Sequence, residues 1–529
     1  MEERLKGRSM KQSFDWKLVI IYLLLVLIGW VNIYASIHSA GPTSIFDWDF
    51  RCGKQFIWII TAFFLALTIL FAIPPKLWEN SAALLYIGVL FLLVAVIFLG
   101  IEVKGSRSWF EFGPVRFQPA EVSKITTSLL LAYVMSAQTY KLSNPKNFLV
   151  TAAIIILPML IILAESETGS ALVYVGFIFV LYREGLSGWF IFFVGLVILI
   201  FIMTLTASPY ASLLALIGVL TFCNALDDGR IGRWFLTWGL GLVALIILSH
   251  LPDWLSGSKE LVEAGAEAAS EAIAAAGTDA ASTALTPDGP SALSIGMKKF
   301  GAALGDFFEK VKPFYIVLGA SALALPLIMV KAYKKKNNFL GISALAYIIG
   351  VVLIFSTDII FNNILQDHQR KRIEVLLGMK EDPSGVGYNV NQSMIAIGSG
   401  GFFGKGFLHG TQTTYGFVPE QSTDFIFCTV GEEWGFVGCT IVILLYVALI
   451  WRIIHDAEES REHFTRIYGY CVAACFFMHL FINIGMTIGL MPVIGIPLPF
   501  MSYGGSSLWA FTILLFIFIA LHHEEKKYF

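Results

Sequence analysis

Glu121 and Lys124 open an apolar run in the stretch Gln118-Pro119-Ala120-Glu121-Val122-Ser123-Lys124. Pro119 suits a first helical turn, and a spacing of three sets carboxylate and ammonium on one helix face. Charge beside hydrocarbon is expensive, so such a pair either neutralises itself at a helix start or presents a cation inside a cavity. Glu165 and Glu167 stand with only Ser166 between them. Two acids this close either hold a cation or are solvated at a turn, and solvation is the simpler reading. Asp367-His368-Gln369-Arg370-Lys371-Arg372 gathers positive charge. Arginine reads phosphate and pyrophosphate bidentately, whereas an anionic lipid surface would attract the same patch less specifically. Asp424, in Pro419-Glu420-Gln421-Ser422-Thr423-Asp424-Phe425, stands at the mouth of a hydrophobic run. It is either a helix N-cap or, partly buried beside cations, a general base or metal ligand.

A glycine-rich stretch, Gly398-Ser399-Gly400-Gly401-Phe402-Phe403-Gly404-Lys405-Gly406, invites a nucleotide-binding reading and fails it. Counting back from Gly404-Lys405, the first required glycine is Ser399, and the hydroxyl required after the lysine is Gly406. The stretch reads instead as a tight turn with close backbone approach, and Lys405 as one more cation.

The elements that must position these groups follow from composition. The chain has 529 residues, 57% hydrophobic and 14% charged, with 44 Phe, 13 Trp and 18 Tyr, and its mean hydropathy is +0.75. A soluble domain is about 25% charged, so a soluble enzyme, a disordered scaffold and a disulfide-stapled secreted module are excluded. A net charge of −2 gives no reason to expect a nucleic-acid partner. The cysteines Cys52, Cys223, Cys428, Cys439, Cys471 and Cys475 form no C-x-x-C and read as buried small hydrophobes.

Crossing hydrocarbon takes roughly 20 apolar residues, and about fourteen runs qualify or nearly so. They start near Leu18, Gln55, Ser81, Val122, Phe148, Ser170, Ser187, Tyr210, Trp234, Phe314, Phe339, Phe425, Ile467 and Gly504. Arg4, Lys6, Arg8, Lys11 and Lys17 precede the first, which places the N-terminus in the cytoplasm by the positive-inside rule. Alternation then sends Lys76, Lys141, Arg183, Arg230, the Lys331–Lys336 group, Arg452, Arg466 and Lys526 inside, so both termini are cytoplasmic. Outside fall 102–121, the Glu165–Ser170 turn, the Ala/Glu-rich stretch 251–312 and the long loop 357–424. The stretch 251–312 reads as a solvated spacer. Loop 357–424 is too polar and glycine-rich for a helix in lipid, yet Ile395, Phe402, Phe407 and Phe417 anchor it. The expected fold is an all-α polytopic membrane protein with a large extracytoplasmic loop.

The stretch from Tyr388 to Gly438, the stretch Ile494-Gly495-Ile496-Pro497-Leu498-Pro499-Phe500-Met501-Ser502-Tyr503-Gly504-Gly505-Ser506-Ser507, and Phe117-Gln118-Pro119-Ala120-Glu121 together resemble the SEDS family (shape, elongation, division and sporulation), its RodA branch more than its FtsW branch. The resemblance covers roughly 15–205 and 340–525. It implies a ten-helix core at 1–205 and 341–529, with four added spans at 206–340. It also implies a peptidoglycan glycosyltransferase that polymerises lipid II at the outer face of the cytoplasmic membrane, for cell elongation and shape, with a class B penicillin-binding protein as partner. The family's catalytic acid falls on Asp424. Its substrate-binding positions fall on Glu121, Lys124 and Arg372, and Lys405, Gln392 and Ser393 join them as substrate-binding residues. The chain departs from the family pattern in three places. Ser422 replaces a histidine two residues before Asp424, Ser108 replaces a second cation before Trp109, and Glu165-Ser166-Glu167-Thr168-Gly169 replaces Gln-Pro-Asp-x-Gly.

Joining an α-linked donor to form a β-1,4 bond inverts C1. A base must take the acceptor hydroxyl proton while cations stabilise the leaving pyrophosphate. Asp424 suits the base; Arg372, Lys124 and Lys405 have the right charge for the pyrophosphate. A divalent cation, Mg²⁺ or Mn²⁺, would fit between carboxylate and phosphate, although no dedicated cage is legible. The competing class is a lipid-linked precursor flippase or another polytopic transporter, whose charges should lie near the bilayer midplane rather than toward a rim.

Overall fold

The computed structural model describes residues 14–38, 44–103, 106–113, 115–227, 313–335, 338–379 and 385–528, with a few single positions between these stretches. The spacer 251–312, most of the run beginning near Trp234, and Arg4, Lys6, Arg8, Lys11, Arg230 and Arg233 lie outside the described residues. The chain divides into two compact units, Met1–Gly188 with Lys371–Phe529, and Trp189–Arg370.

The first unit begins with α1 (Trp16–Ile37), whose N-cap Asp15 accepts from Lys17 N at 2.9 Å and Leu18 N at 3.4 Å. Helices α2 (Arg51–Phe71) and α3 (Pro75–Leu99) follow. A three-stranded antiparallel sheet comes next: β1 (Ile101–Val103), β2 (Ser106–Phe112) and β3 (Val115–Phe117). This sheet departs from the all-α expectation. Glu102 and Arg107 face each other across β1 and β2, and Glu111 and Arg116 across β2 and β3. Opposite charges placed directly across strands help hold so short a sheet together. The sheet feeds directly into α4 (Pro119–Met135), begun by a proline at its first position. Then come α5 (Pro145–Ala164), α6 (Thr168–Val173), a 3₁₀ turn at Tyr174–Gly176, and α7 (Phe177–Arg183).

The second unit holds most of α8 (Gly188–Thr206), with α9 (Pro209–Asp227), α10 (Pro313–Lys335) and α11 (Asn338–Ile359). Its core is Leu196, Ile200, Leu213, Leu216, Leu220, Val317 and Ile354. The hydroxyls of Ser321 on α10 and Tyr347 on α11 pair at 2.5 Å, which satisfies two polar groups that hydrocarbon would not.

Past α12 (Asp367–Leu376) the chain returns to the first unit with α13 (Val386–Ser399), α14 (Thr411–Thr414), α15 (Ile426–Glu459), α16 (His463–Thr487) and α17 (Gly505–Tyr528). Loop 357–424 is thus largely helical. Its glycines punctuate short helices rather than abolish them. Helix α16 is the most enclosed span, with 83% of its most apolar window buried, against 22% for α2. It is the post around which the first unit packs.

Among the described residues, 11 helices are long and apolar enough to cross a membrane. The runs expected near Val122 and Ser170 form instead the 17-residue α4 and the short, 3₁₀-interrupted Thr168–Arg183. Charged residues expected on one side do meet. Arg183 bonds Glu458 at 2.9 and 2.8 Å, Arg452 lies 2.5 Å from Asp15, Arg466 lies 3.4 Å from Glu184, and Lys526 lies 3.5 Å from Glu459. All six cysteines are free and buried, as their apolar settings imply.

Candidate active site

The pair at the start of α4 forms as its spacing requires. Lys124 Nζ donates to Glu121 Oε1 at 2.8 Å, with side chains 2% and 3% exposed. The same ammonium donates to His479 Nε2 on α16 at 2.8 Å and lies 5.4 Å from the Phe511 ring centroid. His479 Nδ1 lies 3.2 Å from the carbonyl of Pro497. Lys124 is therefore an internal cation committed to named partners, not one presented at a surface.

Glu165 and Glu167 correct the expectation of solvated acids. Glu165 is 2% exposed. The Glu167 carboxylate accepts from Ser170 Oγ at 2.9 Å and from the Gln118 amide. Ser106 Oγ donates to the Glu165 carbonyl at 2.9 Å and to Ser108 Oγ at 3.1 Å, so the sheet closes over the turn. Ser108, where the family pattern has a cation, is buried and its hydroxyl faces Glu167. Burial, and then the charge of Glu167, push the Glu165 carboxyl up to about 9. Burial also raises Glu167, with the Glu121 charge adding to it against the opposing hydroxyls. Glu121 Oε2, both Glu165 oxygens and Glu167 Oε2 are buried without a hydrogen-bond partner. Buried carboxylates that lack donors favour protonation or a cation.

A pH dependence follows for Glu165. Its folded pKa lies above its unfolded value, so the native state holds the extra proton. Stability from this group is full below about pH 4.5 and is lost as pH rises through about 9. We expect Glu165→Gln to flatten the fall in melting temperature between those limits. Parallel pH–melting curves for native and variant would refute the assignment.

Asp424 lies just outside α15, whose N-cap position falls on Phe425, so it does not cap that helix. Its backbone and that of its two predecessors are fastened one carbonyl at a time. Tyr503 N donates to Ser422 O at 2.8 Å, Ser502 Oγ donates to Thr423 O at 2.6 Å, and Asn483 Nδ2 donates to Asp424 O at 2.9 Å. Asn483 also donates to Ile496 O at 2.7 Å. Gly495, at φ +76, passes so close that a Cβ there would sit 3.2 Å from Asp424 Oδ2. Only glycine combines that backbone conformation with such an approach. Burial lowers the Arg372 guanidinium below its usual pKa while the Asp424 carboxylate pulls it upward, so the two charges lie within electrostatic range of each other. Arg51 Nη1 donates to Ser422 Oγ at 2.6 Å and stacks over Tyr503 at 5.6 Å. The serine that replaces the family's histidine is thus tied to α2.

Three further expected substrate contacts, Lys405, Ser393 and Gln392, have structural settings of their own. Lys405 lies 2.7 Å from Glu432 Oε1, and Glu432 is fully buried. The Glu432 carboxylate also accepts from Gln412 N at 2.8 Å, Thr413 N at 2.7 Å and Thr413 Oγ1 at 2.5 Å. Lys405 is thus one member of a staple that shapes the loop. Ser393 is fully buried and donates to Thr487 O at 2.9 Å, joining α13 to α16. Gln392 sits half-buried beside it on α13. We expect Lys405→Met to remove the cation paired with a buried carboxylate that keeps its other donors, and to cost about 1.5–3 kcal/mol, the scale of a hydrogen bond to a charged group. Unchanged denaturation would show the pair to be decorative. The glycine-rich turn does bring backbone close: Phe436 N and Val437 N donate to Gly401 O and Phe402 O at 2.9 and 3.1 Å, across a break in α15 at Gly435.

The two halves of the site share one support. His479 and Asn483 are one turn apart on α16, about 6 Å along the axis; the first holds Lys124, the second the Asp424 backbone. Residues 494–497 run alongside, with Ile494 and Ile496 against Gly169 on α6 and Gly495 against Asp424. Reading charges alone misses His479, Asn483, Arg51 and Glu432. Polar residues four apart in an apolar span were the available signal for the first two. A further group, His455, Asp456 and Glu459, has ligand atoms within 4.8 Å of one another. Arg452 at 2.9 Å from Asp456 and Lys526 at 3.5 Å from Glu459 already neutralise it.

A sequence profile of the cell cycle proteins FtsW, RodA and SpoVE matches residues 15–233 and 338–527, and the chain belongs to that family. The interval outside the match, 234–337, contains α10, while α9 and α11 lie within the match. The chain is 28% identical over 528 residues to the peptidoglycan glycosyltransferase RodA of Treponema pallidum, covering 99% of this chain and 100% of that one. It is 27% identical over 507 residues to the peptidoglycan glycosyltransferase MrdB of Escherichia coli K12, covering 95% and 93%. Among solved structures, a peptidoglycan synthase complex described as coordinating polymerization and crosslinking contains a chain with TM-score 0.55, 19% identity and coverage of 97% and 98%. The rod shape determining protein RodA of Thermus thermophilus gives TM-score 0.50 at 18% identity, with 97% of each chain covered. These likenesses agree with the fold described above.

Proposed function

We propose that the protein is a peptidoglycan glycosyltransferase that polymerises lipid II into β-1,4 glycan strands at the outer face of the cytoplasmic membrane, for elongation and shape. The observation that carries this reading is the Asp424 backbone held by Asn483, one helical turn along α16 from the His479 that meets the buried Glu121–Lys124 pair, with the Arg372 guanidinium within electrostatic range of the Asp424 carboxylate. Asp424 takes the proton from the acceptor's C4 hydroxyl as that oxygen attacks C1 of the donor. Arg372 carries the charge that develops on the departing pyrophosphate. Lys124 offsets Glu121 and Glu167, keeping the acid cluster nearer neutrality.

A hard divalent cation such as Mg²⁺ or Mn²⁺ would suit unpartnered carboxylate oxygens, but among the described residues those of Glu121, Glu165 and Glu167 do not gather within 4.8 Å of one another, so they do not form a cage for it and no step is assigned to a metal. The meeting of Asp15, Arg183, Arg452, Arg466 and Lys526 in ion pairs supports a cytoplasmic side bearing both termini. About fourteen spans then follow, counting α4, Thr168–Arg183 and the run near Trp234. A class B penicillin-binding protein is the partner that would cross-link the strands.

The test is labelled lipid II given to the purified protein with such a partner. Glycan chains support the enzyme. Lipid carried across the bilayer without chain growth refutes it in favour of a flippase.

A further inference from the structure

His479 lies between two groups whose chemistry fixes its own. Lys124 is an ammonium with no acceptor, so at 2.8 Å the imidazole Nε2 must accept a hydrogen bond from it. The Pro497 carbonyl has no proton to give, so at 3.2 Å Nδ1 must carry the hydrogen and donate. Both neighbours therefore demand the same neutral tautomer. A second ring proton would point at the ammonium. That removes His479 from any role as proton donor or acceptor to substrate and leaves it a mechanical one. The ring is fully buried and packs edge-on against Phe511 at 4.7 Å, so it cannot swing away.

We propose that His479 is a positioning residue for the reaction, setting where the Lys124 ammonium sits relative to the Asp424 carboxylate. This rests on the glycosyltransferase reading above. Asn483, one turn on, clamps the Asp424 and Ile496 carbonyls, while His479 reaches Lys124 and the Pro497 carbonyl. One face of α16 thereby holds the cation, the acid and the segment between them in register. Glu121 alone, on the same turn of α4 as Lys124, cannot supply this link, because it shares whatever movement α4 makes.

The amide side chains separate the two contacts of the ring. Glutamine is long enough for its Oε1 to replace Nε2 as acceptor from Lys124; asparagine is shorter, and its Nδ2 replaces only the Nδ1 donor to Pro497. His479→Leu should lower polymerisation of labelled lipid II by about 10- to 100-fold, the scale expected when a reacting geometry is released. His479→Gln should recover to within about threefold of native and His479→Asn should stay near the leucine level, consistent with a lost positioning contact rather than lost packing. Recovery by asparagine alone, by both amides, or by neither in folded protein overturns the proposal. Melting of the full-length chain provides a readout independent of activity, with glutamine expected above asparagine and leucine. If the native chain makes no glycan while that ranking holds, the functional reading fails and the His479–Lys124 link stands. If the ranking is reversed, the link itself fails.

Discussion

Asp424→Asn lowers glycan polymerisation by about 10²- to 10⁴-fold, the range supplied by a general base positioned in the transition state. Donors from Tyr503, Ser502 and Asn483 fix this part of the chain through the carbonyls of Ser422, Thr423 and Asp424. The amide is nearly isosteric and leaves all three in place, so folding should shift by less than about 1 kcal/mol, as for substitutions that leave packing and tethers intact. The loss should fall on turnover and spare apparent donor affinity, because the proton moves only as the sugar bond forms. Steady-state polymerisation and a melting curve on one preparation decide it. A variant retaining a tenth of native turnover would release Asp424 from the role.

Lys124→Met is the second large effect, and it falls on stability as well as activity. Removing the ammonium leaves Glu121 charged at 3% exposure beside a buried Glu167. Breaking a buried pair in this way costs about 3–5 kcal/mol, whereas replacing both members by apolar groups is often neutral. The double variant Glu121→Leu with Lys124→Met should therefore regain most of the lost stability while remaining inactive. Thermal denaturation of the single and double variants, each with a polymerisation assay, checks both halves. Activity returning together with stability would make the pair a folding device and nothing more.

The sequence is most transparent where a residue type is out of place. Glu121, Lys124 and Asp424 announced themselves as charges inside or beside apolar runs, and a spacing of three was enough to pair the first two. It is opaque where a charge satisfies another that is distant in the chain. Nothing in the Lys405 neighbourhood identifies Glu432, 27 residues on, as its partner, so an internal staple reads as a free cation. Glu165 and Glu167 look solvated because composition cannot reveal that β1 and β2 fold over their turn. The short helices of 367–414 were hidden for a related reason. Glycine and polar residues lower helix propensity, yet packing of α13 against α15 and α16, and of α14 against α15, supplies what propensity lacks. His479 and Asn483 are illegible to a search for charges because neither carries a formal one, although a buried hydrogen-bonding side chain on a largely enclosed helix needs a partner just as much.

The break at Gly435 separates the long α15 into a short arm that begins beside Asp424 and a longer one that continues to Glu459. The carbonyls of Gly401 and Phe402 cap the freed amides. The longer arm thus starts from an anchor of its own on the glycine-rich turn, and the short arm beside Asp424 is not a rigid continuation of it.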